Sequence, residues 1–174
     1  MRTFQQLTED FIDKTTNIFR TEIDNKFLSR VFSVSKVISI LIPIAYCILM
    51  GLGAMTEQLQ FSEYLATNPM YVLLFLASML CIFIAYELKT IELHLVDGEY
   101  KQAVTNIILM LISQLILINP LYIFIFGLIL FKSKNIYNFK IKKNIDLTLI
   151  PAYGKLPILM ILLNIFIMVQ AVPQ

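Results

Sequence analysis

The residue types that carry out acid–base or metal chemistry are concentrated in one short stretch, YELKTIELHLVDGEYK, at residues 86–101. It contains the single histidine of the chain, His94, together with Glu92, Asp97 and Glu99. Imidazole and carboxylate groups are the usual ligands of divalent metals and the usual general acids and bases. These four residues are therefore the candidate catalytic or metal-binding set.

The spacing within this set favours a turn between helices over a metal site. Glu92 and His94 are two residues apart and would point to different sides of a helix. Asp97-Gly98 is typical of a turn, after which Glu99 would stand at the start of the next helix. One histidine without a second histidine or a cysteine nearby specifies a metal poorly. We therefore expect no metal and no cofactor, and we favour a non-catalytic function over an enzymatic one.

A second group of polar residues lies inside long uncharged stretches of the chain. Its members are Asn106, Ser113, Gln114, Asn119 and Asn164. In a membrane such side chains usually form hydrogen bonds between helices, and less often they line a path for a substrate or an ion. Asn106 and Ser113 are seven residues apart and share a helix face, which predicts that this face points into a bundle.

The elements that must position these residues are membrane helices. Apolar residues make up 58% of the chain and the mean hydropathy is +0.76, both far above the values of a soluble domain. A helix needs about 20 apolar residues to cross a bilayer. The apolar segments lie at residues 37–55, 70–86, 103–118, 121–131 and 156–172. We therefore predict an all-α integral membrane protein, with a small polytopic helical bundle at residues 36–174.

The phrase NPLYIFIF, which begins at Asn119, interrupts an uncharged stretch at residues 102–131. As a straight helix this stretch would be about 45 Å long, against a hydrocarbon core of about 30 Å. Asn119 can cap a helix and Pro120 suits a first turn. We predict a helix break at Pro120 and a helical hairpin, whose short arms would either form a re-entrant structure or thin the bilayer locally. The alternative is one proline-kinked span.

The distribution of basic residues also favours the hairpin, because lysine and arginine accumulate in short cytoplasmic loops. Four simple spans would divide the fourteen basic residues into eight on one side and six on the other. A hairpin would place all fourteen on the side of the N-terminus. The pattern predicts a cytoplasmic N-terminus and favours a bacterial inner membrane, and an endoplasmic reticulum protein would follow the same rule.

Residues 1–35 have the pattern of a cytoplasmic amphipathic helix. Their apolar residues recur mostly at spacings of three and four, with acidic and basic residues between them. Because the charges are mixed, the segment lacks the cationic face of a helix that binds anionic lipid. It could lie on the membrane surface, pack under the bundle or dock on a partner.

Three hypotheses for the function follow. The favoured one is a non-catalytic membrane protein that acts through helix–helix interaction, as an accessory subunit of a membrane complex or as an immunity-type protein against a membrane-acting toxin. Its partners would be the lipid bilayer and a protein in the membrane, with an oligomer compatible with the sequence. The net charge of +2 is too small to argue for nucleic acid.

The alternative is a small channel or uncoupled transporter component that uses the broken helix at Asn119-Pro120. A lesser alternative is a membrane-embedded enzyme that acts on a lipid substrate with the candidate set around His94. The apolar stretches contain no Asp, Glu, Lys, Arg or His. This weakens the case for a pump or an ion-coupled transporter, which normally buries such groups at membrane depth.

Overall fold

The computed structural model of this chain describes residues 18–146, 148 and 154–171, and every regular element within these ranges is a helix. This confirms the all-α prediction for the described residues. We label these helices α1 (Lys26–Thr56), α2 (Phe61–Thr67), α3 (Pro69–Val96), α4 (Tyr100–Ile116), α5 (Pro120–Ile136), α6 (Ile141–Asn144) and α7 (Lys155–Ala171).

Helix α1 begins at a side-chain cap. The Oδ1 atom of Asn25 accepts hydrogen bonds from the N–H groups of Phe27 and Leu28, both at 3.1 Å. Residues 20–25 are not helical, whereas α1 continues without interruption through residues 35 and 36. The predicted boundary between an amphipathic helix and the first apolar segment therefore does not coincide with a helix end. The first 17 residues of that predicted helix lie outside the described residues.

Helix α4 lies at the centre of the bundle. It packs against α3, α5, α6 and α7, while α1 packs mainly against α3. The core is formed by fully buried side chains from several helices, among them Phe32, Leu88, Ile107, Met110 and Phe126. Both cysteines are free thiols, with Cys81 buried and Cys47 partly exposed.

The two Asn-Pro phrases both mark helix starts, but they do so in different ways. Asn68 caps α3, since its Oδ1 accepts the N–H of Met70 at 2.9 Å. At the second phrase the helix breaks as predicted and Pro120 is the first residue of α5, yet the side chain of Asn119 makes no capping hydrogen bond. The expected cap by Asn119 is therefore not formed, and the backbone of the turn instead closes the end of α4.

That closure joins α4 and α5 into a hairpin with a three-residue turn. The N–H of Ile118 donates to the carbonyl of Leu115 at 3.1 Å, and the N–H of Asn119 donates to the carbonyl of Gln114 at 3.0 Å. These two bonds form a Schellman motif. Each arm has 17 residues, or about 25 Å. The second arm is longer than the predicted segment at residues 121–131, because the helix continues through its basic end.

Two helices, Lys26–Thr56 with 31 residues and Pro69–Val96 with 28, are long and apolar enough to cross a membrane by length and composition. Helix α7 is apolar but shorter, with 17 residues. As straight helices α1 and α3 measure about 46 and 42 Å, so each exceeds a hydrocarbon core of about 30 Å. Both helices therefore have length to spare beyond one crossing.

Four helices are followed, just after their C-terminal ends, by a residue with a positive φ angle. One of these four residues is poorly suited to this left-handed conformation. Gly98 has φ 77° and Asn138 has φ 51°, which are common choices for this position. Ile118, at the tip of the hairpin, has φ 52°. A β-branched residue is an outlier in this region, where its Cβ approaches a carbonyl oxygen at a cost of about 1–2 kcal/mol.

Replacing Ile118 by glycine should therefore stabilise the protein, by about 1 kcal/mol in the free energy of unfolding. Denaturant titration of the purified protein in detergent micelles would measure this change. The matched control is Ile112→Gly, at an exposed position inside α4 where the backbone is ordinary helix. That variant should lower the free energy of unfolding by about 1 kcal/mol. If both variants lowered it equally, the prediction of a strained turn at Ile118 would be contradicted.

Candidate functional site

A buried ion pair joins the first and third helices. Lys36 of α1 and Glu92 of α3 both have side chains with 0% exposure, and the Nζ atom of Lys36 donates to Oε2 of Glu92. Lys36 lies just before the first apolar stretch, and Glu92 lies in the last two turns of α3. Removing two charges from water costs several kcal/mol for each ion, so the pair persists only with close geometry and further hydrogen bonds.

The further hydrogen bonds come from the non-helical segment that precedes α1. The backbone N–H of Glu22 donates to Oε1 of Glu92 at 2.6 Å. Lys89 donates from Nζ to the carbonyl of Arg20 at 2.9 Å and to Oε1 of Glu22 at 3.2 Å. The segment is also anchored by Ile23, which is buried. Residues 20–25 therefore lie across the ion pair.

We call Lys36, Glu92, Lys89 and Glu22 the ionic clamp, because together they hold α1, α3 and the segment at residues 20–25. Both carboxylate oxygens of Glu92 accept a hydrogen bond from within the protein. A carboxylate with both oxygens occupied and no exposure is poorly placed to bind a metal or to remove a proton from a substrate. The geometry fits positioning of the helices and not chemistry at Glu92.

The structure does not bring the four candidate catalytic residues together. His94 lies with Nδ1 at 2.6 Å from Oε2 of Glu99, on a more exposed side of α3 than Glu92. Asp97 is exposed and ends α3, with its N–H bonded to the carbonyl of Leu93. Within the described residues no group of three His, Cys, Asp or Glu side chains is arranged to hold a metal ion.

The polar residues of the apolar stretches lie mainly in the interior of the bundle. Asn106, Ser113 and Gln114 of α4 and Asn164 of α7 all have 0% exposure. The Nδ2 atom of Asn164 donates to the backbone carbonyl of Ser113 at 2.9 Å and to its Oγ at 2.8 Å. These bonds link α7 to the central helix. Asn119, in contrast, is partly exposed at the hairpin turn.

Two interior amides on the central helix make no hydrogen bond with any of the described residues. Neither side-chain polar atom of Asn106 or of Gln114 has a partner there, and the same holds for Oδ1 of Asn164. On α3, Oε2 of the buried carboxyl group of Glu87 also has none. Most buried polar groups in proteins are hydrogen-bonded, so each exception requires an explanation such as bound water or a ligand.

The apolar stretches do not predict the buried charged side chains of Lys36, Glu87 and Lys89, because these residues lie just outside the stretches. The helices extend beyond the uncharged segments and carry these residues into the packed region. A signal was present in the sequence, since Leu88, Ile91 and Leu95 continue the helical spacing of three and four past Tyr86. The partner of Glu92 could not be read in this way, because it is 56 residues distant along the chain.

Breaking the ion pair from either side should destabilise the protein strongly. Lys36→Met and Glu92→Met should each lower the free energy of unfolding by about 3–5 kcal/mol, because the remaining charge stays buried without its partner. The double variant should recover most of this loss, since two apolar side chains leave no charge unpaired. Denaturant unfolding of all three variants in the same detergent would measure the difference.

Lys101→Met is the matched control for this experiment. Lys101 also faces a carboxylate, with Nζ at 3.7 Å from Oδ2 of Asp146, but its side chain is 57% exposed. An exposed pair contributes about 0–1 kcal/mol. If Lys36→Met lowered the free energy of unfolding as little as Lys101→Met does, the ionic clamp would not hold α1 against α3.

Comparison with other proteins leaves the site itself as the basis for a functional conclusion. No protein family model, curated protein or solved structure matches this chain. The function is therefore inferred from the buried clamp, the polar interior and the surfaces that the helices leave uncovered.

Proposed function

We propose that this chain is a polytopic membrane protein that acts without catalysis, through contact between its helices and those of a protein partner. It would serve as an accessory subunit of a membrane complex or as an immunity-type protein against a membrane-acting toxin. A bacterial inner membrane with the N-terminus in the cytoplasm fits the basic residues best. Two apolar helices of spanning length support the membrane location.

The position of the hairpin supports a topology in which the basic segments share one side. The Nζ atom of Lys132, near the end of α5, lies 5.0 Å from the ring centre of Phe27, in the first turn of α1. At the other end of the hairpin, Pro120 lines a cavity of about 380 Å³ with Ile167, near the end of α7. The C-terminal end of α5 and the start of α7 would therefore lie on the cytoplasmic side, together with the start of α1.

The hairpin does not reach the outer end of α1. The hydroxyl of Tyr122, close to the hairpin turn, donates to Oγ of Ser39 at 2.8 Å. Ser39 lies near the middle of α1, which continues to Thr56. The same turn lines a cavity with Met70 and Leu73, in the first turns of α3, so the hairpin ends near the level at which α3 begins and leaves the outer half of α1 uncovered on that side.

The outer half of α1 is the observation that carries the proposal. None of residues 44–53 is buried. Four of its large apolar side chains are at least half exposed, with Ile44 at 50%, Ile48 at 57%, Leu49 at 62% and Leu52 at 57%. An apolar helix surface of this extent marks contact with lipid or with another protein.

A glycine on this surface favours a protein partner over lipid alone. A Cβ atom added at Gly51 would meet nothing within 4 Å, so nothing within the described chain requires glycine there. Glycine inside a helix costs about 0.5–1 kcal/mol relative to alanine. In membrane helices, small residues allow the backbone of a second helix to approach closely. At Gly53 the space is already filled, since an added Cβ would lie 2.5 Å from the hydroxyl of Tyr64.

The test is photo-crosslinking in the native membrane. A photoreactive amino acid at Ile48 should give a covalent adduct with one protein of reproducible mass. Gly51→Leu should abolish the adduct, because its side chain blocks close approach of the partner helix. The same probe at Phe83, an exposed apolar position of α3, is the control and should react with lipid only.

The outcomes separate the proposal from its competitors. Lipid adducts alone at both positions would contradict a protein partner for α1. An adduct with twice the mass of the chain would replace the accessory-subunit proposal by self-association. Gly51→Leu must unfold at or above the wild-type midpoint, so that loss of the adduct reports the contact and not the fold.

The unpaired amides of the central helix favour a second candidate, a small channel or uncoupled transporter component. Asn106 and Gln114 supply polar atoms that no other group in the described structure uses. Both residues have 0% exposure, so a path along them would have to open before water could reach these unpaired groups. The helix break itself is less favourable, because its cavity is lined mainly by apolar residues.

Asn106→Leu distinguishes the two candidates. If the protein acts only through helix contacts, the variant should raise the free energy of unfolding by about 1–3 kcal/mol, since it removes a buried amide without partners. If Asn106 lines a path, purified wild-type protein should release K⁺ from loaded liposomes and the variant should not. Asn164→Leu, which breaks the bond to Ser113, should instead lose about 1 kcal/mol and serves as control.

A further inference from the structure

A cluster of lysines begins in the last turns of α5 and continues beyond its end. Between Glu99 and Asp146 the chain contains no acidic residue, while Lys132, Lys134, Lys140, Lys142 and Lys143 follow one another within a short span. Asp146, the acidic residue at the end of this region, pairs with Lys101. Like charges concentrated in this way repel one another unless an anion lies between them.

Four of these residues line one cavity. Lys134, Lys140, Lys142 and Lys143, which we call the lysine cradle, surround a space of about 420 Å³ together with Ile141. All four lysines are exposed. No carboxylate of the described residues lies within 4.0 Å of their Nζ atoms. The cradle therefore presents several ammonium donors that the described structure leaves without an acidic partner.

Apolar and aromatic groups lie next to the cradle, on the side of α5. Phe131, just before the basic residues, is 58% exposed and Phe124 is 68% exposed. The ring centre of Tyr100 lies 5.5 Å from that of Tyr137 and 5.3 Å from that of Phe139. Aromatic residues with a polar tip concentrate where the hydrocarbon of a membrane meets its headgroups. The exposed surface of α5 thus changes from apolar at Phe124 and Phe131 to basic at Lys134, while Tyr100 and Tyr137 are partly exposed and Phe139 is buried.

We propose that the lysine cradle binds the phosphate group of an anionic membrane lipid, whose acyl chains lie along the exposed phenylalanines of α5. The order of apolar and basic groups along α5 matches the order of acyl chain and headgroup in a lipid. A nucleic acid or an acidic peptide would use the lysines but would leave the adjacent apolar surface uncovered. The proposal rests on the membrane location given above, but it does not depend on a protein partner.

The experiment compares two variants with the same change in charge. The first is Lys140→Gln/Lys142→Gln/Lys143→Gln, within the cradle. The second is Lys26→Gln/Arg30→Gln/Lys155→Gln, at exposed basic residues elsewhere in the chain. Full-length protein in detergent is titrated with phosphatidylglycerol or phosphatidylcholine at low ionic strength, and bound lipid is counted by native mass spectrometry.

We expect wild type and the control variant to prefer phosphatidylglycerol, and the cradle variant to lose that preference. Each basic residue near a lipid surface contributes roughly fivefold to affinity, so three substitutions should lower it on the order of 100-fold. Equal losses in both variants would overturn the proposal, because total charge and not the cradle would then decide binding. The unfolding midpoint of each variant shows that the fold is kept.

Two competition arms identify the source of the phosphate. Inorganic phosphate at millimolar concentration should not displace the lipid, and displacement would assign the cradle to a free anion. A short single-stranded RNA that displaces the lipid would assign it to nucleic acid. Lipid counting uses the isolated protein and does not depend on a protein partner. The lipid proposal can therefore be contradicted while the crosslink at Ile48 supports the proposed function, and the crosslink can be absent while lipid binding is confirmed.

Discussion

The buried pair of Lys36 and Glu92 constrains the arrangement of the whole bundle. A slide of α1 along α3 by one helical turn, about 5.4 Å, would leave an ammonium and a carboxylate buried without each other. The second oxygen of Glu92 needs the N–H of Glu22 in the same way, so the segment at residues 20–25 is held in place as well. Such a pair contributes little net stability, yet it excludes alternative registers at high cost.

The register of α1 on α3 determines which surfaces stay uncovered. The first half of α1 lies against α3 and α5, and the contact of Tyr122 with Ser39 sets the hairpin turn beside the middle of α1. The outer half of α1 then has no helix on the α5 side, and only Pro43 and Ala54 are buried after Leu41. The uncovered surface is thus a consequence of the clamp, and its exposure does not reflect a weak local tendency to pack.

Local chemistry in the sequence predicts where the helices start and turn, but not which buried groups meet. Asn68-Pro69, Asp97-Gly98 and the break at Pro120 follow from capping, glycine and proline rules that act over a few residues. The left-handed Ile118 follows from none of them, since the hairpin imposes that conformation. The pairing of Lys36 with Glu92 depends on tertiary packing between distant residues, for which periodicity gives no signal. The spacing of Glu92 and His94 did indicate that they diverge.

The two proposed contacts lie at opposite ends of the molecule, and the clamp lies between them. The lysine cradle is at the end where α1 begins, as the approach of Lys132 to Phe27 shows. A headgroup held there would fix the depth of α5 in the bilayer, and the contact between α5 and α1 would carry that depth to α1. The outer half of α1 would then lie at a fixed depth in the opposite leaflet. A partner helix would reach Gly51 only at that depth in the bilayer. Lipid binding at the lysine cradle would therefore favour partner binding at the outer half of α1.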